Sequence, residues 1–180
     1  PCDTETAIGT LRQVVMIVVE SFRGRPVGVL GLAKSGRAAI DALAAGGAKV
    51  LAWDDNATVR ESLAAELPLH DLTAADWRNI PALVLSPGIP HSFPEPHPAV
   101  LRAREAGAEI IGDLELLGRA QPEARYVGIT GTNGKSTTTA LIGHILRESG
   151  VPVQVGGNIG TPVTAMVGSS RADQWNVLEL

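Results

Sequence analysis

The densest chemistry in this 180-residue chain lies in Gly131-Thr132-Asn133-Gly134-Lys135-Ser136-Thr137. Gly131 and Gly134 permit backbone torsions that a Cβ would penalise. Successive N–H groups of such a loop form a concave nest for an anion. Lys135 can reach the outer phosphates of a nucleotide and neutralise charge that builds during phosphoryl transfer. Ser136 places a hydroxyl where a Mg²⁺ bridging phosphates would sit. The loop departs from the G-x-x-x-x-G-K-[ST] pattern in one place, because Ile129 stands where that pattern has its first glycine and Gly131 is the extra one. An apolar run precedes the loop and an apolar-periodic stretch follows it, so a strand–loop–helix context is kept. The plainer reading is a Thr/Gly turn with a solvated lysine.

A second loop, "GLAKSG" (Gly31 to Gly36), has the spacing G-x-A-x-x-G, one methyl away from a dinucleotide fingerprint. Gly31 permits a tight turn, Ala33 lets the backbone approach a phosphate, and Gly36 allows close helix–strand packing. Asp54 ends the next strand, where an acid can accept hydrogen bonds from a nucleotide's sugar or base. The alternative is a strand–helix junction whose glycines serve packing alone. Further on, "GGNIGTP" (Gly156 to Pro162) follows a strand, and Asn158 offers both a donor and an acceptor; by itself it reads equally as a plain loop. Glu179 interrupts the apolar run "NVLEL". It is either a strand-end surface charge or a carboxylate supplying an oxygen to Mg²⁺.

Other residues carry weaker signals. His70, His91, His97 and His144 lack metal-ligand spacing, and His91 and His97, in the proline loop, read as solvated. Trp53, Trp77 and Trp175 read as packing residues. The single cysteine, Cys2, allows no disulfide framework and no thiolate zinc site. A net charge of -4 and 3% aromatic residues argue against a nucleic-acid surface. The run "VVMIVV" (Val14 to Val19) is too short for a membrane span and lacks a cleavage pattern, so it reads as non-targeting. Met16 reads as a translation start, and the chain, starting at Pro1 and stopping in an apolar run at Leu180, reads as a fragment.

These residues must be held by an alternation of short β-rich runs and Ala/Leu-rich helical stretches. Strands are predicted at 26–32, 48–54, from 82, at 108–112, from 122 and at 176–180. Helices are predicted at 35–45, 58–66, 97–106 and 113–120, the last capped by Asp113. The order favours parallel sheets covered by helices. The expected division is a lead-in (1–24), a Rossmann-like α/β unit (25–121), and the start of a P-loop unit (122–180) with room for about three strands. The boundary falls in the polar "AQPEA".

The motif "GITGTNGKSTTT" (128–139) resembles the ATP loop of the Mur ligases, which build the peptide stem of bacterial peptidoglycan. The likeness runs from about Met16 to Leu180 through "VLGLAKSG", "WDDN", "LSPGIP", "EIIGDLELL", "GGNIGTP" and "VLEL". The resemblance implies a Rossmann-like parallel-sheet UDP-binding domain followed by the start of a P-loop ATPase domain. It implies ATP and Mg²⁺ as cofactors, with UDP-N-acetylmuramoyl-L-alanine and D-glutamate as substrates in a cytoplasmic, monomeric ligase. Residues Gly131 to Thr137 would bind ATP, with Lys135 catalytic, and Ser136 and Glu179 would help hold Mg²⁺. The backbone around Lys34 and Ser35 would hold the diphosphate, Asp54 and Asp55 would meet the uracil, and Gly88 would line the same pocket. Asn158 would reach the diphosphate from the second unit. Lys34 and Asn56 depart from residues common in the family. Two other readings are an NAD-dependent oxidoreductase built on "GLAKSG", which leaves "GTNGKST" unexplained, and a nucleotide-binding module without catalysis.

Overall fold

The computed structural model describes residues 17–158, 160–166 and 173–180. The proposed start at Met16 and the fifteen residues before it lie outside that range. Four strands, β1 (Pro26–Leu30), β2 (Lys49–Trp53), β3 (Ala82–Leu85) and β4 (Glu109–Gly112), form a parallel sheet ordered β2–β1–β3–β4. Their connections carry α1 (Lys34–Ala45), α2 (Ala57–Leu63) and α3 (Pro98–Glu105), and α4 (Asp113–Ala120) follows β4. Leu30 sits in register with both Trp53 and Leu85, so the C-terminal ends of β1, β2 and β3 finish level. The strand order reverses between β1 and β3, which opens a crevice at those ends.

The period-2 alternation of the strands sorts side chains into two cores. Val27, Val29, Ala82 and Val84 pack with Ala39, Ala42 and Leu43 of α1 and with Leu116 and Leu117 of α4. Leu30, Leu83 and Leu85 pack on the opposite face with Trp77 and with Ala99, Val100 and Ala103 of α3. Gly28 also faces Trp77, and a Cβ there would lie 3.0 Å from the indole, so the missing side chain makes room for the ring.

The second sheet holds three parallel strands, β5 (Arg125–Ile129), β6 (Val153–Gly157) and β7 (Trp175–Glu179), in the order β5–β7–β6. Helix α5 (Lys135–Glu148) connects β5 to β6 and lies so close that a Cβ on Gly143 would come within 2.3 Å of Val155. The two sheets share apolar packing, because Val163, Met166 and Leu178 join the core built on α1 and α4. The short turn Val163–Ala165 rests on both helices, and the Ile17 N–H donates to the Met166 carbonyl at 3.2 Å. At the junction, Tyr126 donates its hydroxyl to the Gln121 carbonyl (2.7 Å) and Asn176 Nδ2 donates to Gln121 Oε1 (3.1 Å).

Two local expectations need correction. Helix α2 stops at Leu63 rather than Glu66, because the N–H groups of Glu66 and Leu67 both return to the Leu63 carbonyl in a tight turn before Pro68. Asp113 does not cap α4. Gly112, in extended backbone, is the cap, and Asp113 is the first helical residue, its Oδ1 accepting from the adjacent Leu114 N–H at 2.9 Å.

Candidate functional site

The first glycine loop is fixed by backbone. Gly31 has φ +89°, its N–H donates to the Trp53 carbonyl at 2.8 Å, and its own carbonyl accepts from the buried Ser86 Oγ at 2.7 Å. That carbonyl lies 1.8 Å from where a Cβ on Gly36 would be, so the first turn of α1 sits directly against it. Ala33, the cap of α1, makes no side-chain hydrogen bond, and the free amides of the first turn face the end of the loop, the arrangement that attracts an anion. By contrast, α2 and α3 are capped by the side chains of Asn56 and His97.

Asp54 and Asp55 follow β2 and differ in their engagement. Asp54 accepts from the Leu32 N–H (Oδ2, 2.7 Å) and from the Asn56 N–H (Oδ1, 2.9 Å), bracing the ends of β1 and β2 against each other. Asp55 Oδ2 lies 2.8 Å from His97 Nε2. The His97 side chain is only 10% exposed, which corrects the expectation of a solvated histidine. Arg60 donates to the carbonyls of Asp54 and Asp55 at 2.7 and 2.8 Å while its guanidinium stands 4.5 Å from the Trp53 ring centroid. Neither His97 nor Arg60 was among the site residues read from the sequence. His97 was legible only as a side chain able to cap, immediately before Pro98 at the first position of α3.

Beyond this end of the sheet lies a cavity of ≈ 360 Å³ lined by Ser86, Pro87, Gly88, Ile89, His91 and Asp113 among others. Gly88 adopts φ +91° there. A neighbouring cavity of ≈ 180 Å³ is lined by Pro87 and by Asp113 at the start of α4, and by Asn158 and by Glu179 at the end of β7. Lys34 crosses between them, its Nζ donating to the Gly160 carbonyl at 2.6 Å. Its side chain therefore ties the first glycine loop to the loop that carries Asn158.

Asp113 belongs to both cavities, and burial pushes its carboxyl above the usual 3.8. Between 3.8 and that higher value the folded chain binds more protons than the unfolded chain, so stability rises as pH falls through the window. Above it, the ionised carboxylate carries its full desolvation cost. Asp113→Asn should therefore raise the melting temperature near neutral pH, with the gain shrinking as pH falls toward 3.8. Thermal melts across that range measure it, and a gain independent of pH would contradict burial of the carboxylate as its source.

The second glycine loop follows β5. Gly131 (φ +138°) and Gly134 (φ +75°) occupy backbone that disfavours side chains, and Gly134 caps α5 without a side-chain hydrogen bond. Residues 131–134 are exposed and Lys135 is half-buried. In register with Ile129, the residue at the C-terminal end of β5, is Glu179. Glu179 is 7% exposed and its Oε2 has no partner among the described residues. A strand-end surface charge does not describe it. A buried, unpartnered carboxylate oxygen is costly unless something cationic or a donor meets it, so this position fits a bound cation. Among the described residues no cluster of three or more His, Cys, Asp or Glu side chains gathers as a metal site, which leaves further oxygens to come from Ser136, water or phosphate. No helix among the described residues is long and apolar enough to cross a membrane.

An α/β protein of parallel sheets, with glycine loops opening α1 and α5, is the class the fold defines. Residues 129–178 match the family described as Mur ligase middle domain. The chain is 58% identical over 158 residues to the UDP-N-acetylmuramoylalanine--D-glutamate ligase of Phenylobacterium zucineum, covering 84% of this chain and 34% of the relative. It is 53% identical over 156 residues to the same-named protein of Rhizobium meliloti, with the same coverage. Against that of Rhodopseudomonas palustris it is 50% identical over 170 residues, 92% of this chain and 36% of the relative. Residues 129–178 thus carry a Mur ligase middle-domain sequence, and the chain, similar over most of its length to the D-glutamate ligases, spans about a third of the length of the curated relatives it matches.

Proposed function

We propose that this chain supplies the UDP-substrate crevice and the ATP loop of a cytoplasmic, monomeric ligase that joins D-glutamate to UDP-N-acetylmuramoyl-L-alanine. The observation that carries the reading is the cavity in which Pro87 and Asp113 meet Asn158 and Glu179. A substrate held by its UDP end at the first sheet can extend through that cavity toward the second glycine loop. The amides of Lys34 and Ser35 would take the diphosphate, Asp54 and Asp55 would face the base, Gly88 would line its pocket, and Asn158 would reach the diphosphate from the other side. Binding energy from this remote handle then orients the reacting carboxylate.

In this reading Gly131 to Thr137 wrap the triphosphate of ATP. The substrate's carboxylate oxygen attacks the γ-phosphorus and ADP leaves. The D-glutamate amine then attacks the acyl phosphate, loses a proton, and expels phosphate as the amide forms. Lys135 stabilises charge on the transferring phosphoryl group. Ser136 and Glu179 would hold Mg²⁺, which when bound neutralises phosphate charge.

Titrating the chain with UDP and with NADH tests the crevice. Saturable UDP binding is expected, and tight NADH binding with no response to UDP would favour an oxidoreductase instead. Glu179→Gln tests the metal end in a full-length protein carrying this chain. It should lower kcat by about 10²-fold and raise the Mg²⁺ concentration needed, while leaving the melting temperature of the metal-free protein equal or higher. Unchanged Mg²⁺ dependence would remove Glu179 from the metal site.

A further inference from the structure

We propose that His97 is the positioning residue for base recognition, holding one oxygen of Asp55 so that the other accepts the N3–H of a uracil ring and rejects a cytosine. The inference rests on the reading of the crevice as a uridine diphosphate site. It assigns a role to a residue that this reading leaves out.

Two hydrogen bonds fix the histidine. His97 Nδ1 accepts from the Ala99 N–H at 3.1 Å, capping α3. A ring nitrogen that accepts an amide proton carries none itself, so in the neutral ring the proton is on Nε2. Nε2 lies 2.8 Å from Asp55 Oδ2, and with the proton assigned this way it donates to that oxygen. The backbone of α3 thus sets the tautomer, and the tautomer sets the direction of the bond to Asp55. Asp55 itself is exposed, and Arg60 and the Asp54 brace hold its backbone. Without His97 the carboxylate would be free to rotate in solvent.

A carboxylate pinned by one oxygen presents the second as an acceptor only. Uracil offers an N–H at N3 to such a group, whereas cytosine offers a lone pair there and is repelled. The pair therefore works as a filter for the base, built from residues 42 apart in sequence.

Calorimetric titration of the chain with UDP and with CDP tests this, using His97→Asn, Asp55→Asn and the double variant. Asn at position 97 can still cap α3 but is too short to span to Asp55. Wild type is expected to prefer UDP over CDP by at least tenfold. His97→Asn should weaken UDP about tenfold and shrink that preference. Asp55→Asn should reverse the preference toward CDP, since the His97 N–H would hold the amide oxygen and turn the NH2 to N3. The double variant should be no weaker toward UDP than Asp55→Asn within about twofold, as for residues acting in one network. UDP binding by His97→Asn within twofold of wild type, or full additivity in the double variant, overturns the inference and leaves His97 a helix cap. Failure of wild type to bind UDP at all overturns the uridine-site reading itself. Should His97→Asn not fold, the ¹⁵N resonances of the wild-type ring decide: an Nε2–H tautomer that shifts on adding UDP is expected, and an Nδ1–H tautomer or a ring indifferent to UDP contradicts the proposal.

Discussion

Gly36→Ala should cost more than about 4 kcal/mol and leave the first sheet unable to fold at ordinary temperatures. A Cβ at this position would stand 1.8 Å from the Gly31 carbonyl oxygen, 2.9 Å from its carbon and 2.7 Å from Ser86 Oγ. Two of these three are backbone, and the third is the hydroxyl that satisfies the same carbonyl. The first turn of α1 would have to move off β1, and with it Leu43, Ala42 and Ala39 would leave the core. Gly118→Ala is the matched control, because a Cβ there meets nothing within 4 Å on α4. It should be neutral or stabilising by about 0.5–1 kcal/mol. Circular dichroism melts of the two variants measure the contrast, and a Gly36→Ala melt within a few degrees of wild type would show that the loop is not packed as described.

Lys135→Ala should reduce kcat/KM by about 10³-fold in a full-length protein carrying this chain, with little change in melting temperature. Lys135 opens α5 beside two glycines at positive φ, and its side chain belongs to neither apolar core, so the fold has little to lose. Activity has much to lose in the proposed reading, because the ammonium is the cation that the loop itself would supply to the phosphates. Lys135→Arg should restore little, since a planar fork does not replace a compact point charge. Steady-state kinetics with varied ATP measure the effect. Activity within tenfold of wild type in Lys135→Ala would remove the lysine from the transfer step.

How far the sequence revealed this arrangement depended on the range of the interaction. The glycine loops were legible because their information is local: a glycine that must take positive φ at Gly31, Gly131 or Gly134 is announced by its neighbours in the strand–loop–helix pattern. The parallel α/β order was legible for the same reason, and element ends missed by one to three residues where tight turns, as after Leu63, overrode periodicity. The fate of single polar side chains was not legible. Whether Glu179 is a surface charge or a buried carboxylate depends on strands β5 and β6 flanking it, with Ile129 and Gly157 as its register partners. The histidine of the proline loop became a largely buried cap only because α3 begins beside the end of β2, bringing His97 to Asp55. Lys34 reaches a carbonyl 126 residues away, a contact no local pattern encodes. Asp113 looked like a cap because Asp is a common one, but Gly112 took the extended backbone and left the carboxylate to line two cavities.

The most direct test of the proposed ligase chemistry is a product assay on a full-length protein carrying this chain, supplied with Mg²⁺, ATP, UDP-N-acetylmuramoyl-L-alanine and D-glutamate. ADP, phosphate and the amide product should form in equal amounts, and omitting either the UDP substrate or D-glutamate should stop amide formation. Hydrolysis of ATP indifferent to both substrates, or turnover of a nicotinamide cofactor in their place, would contradict it.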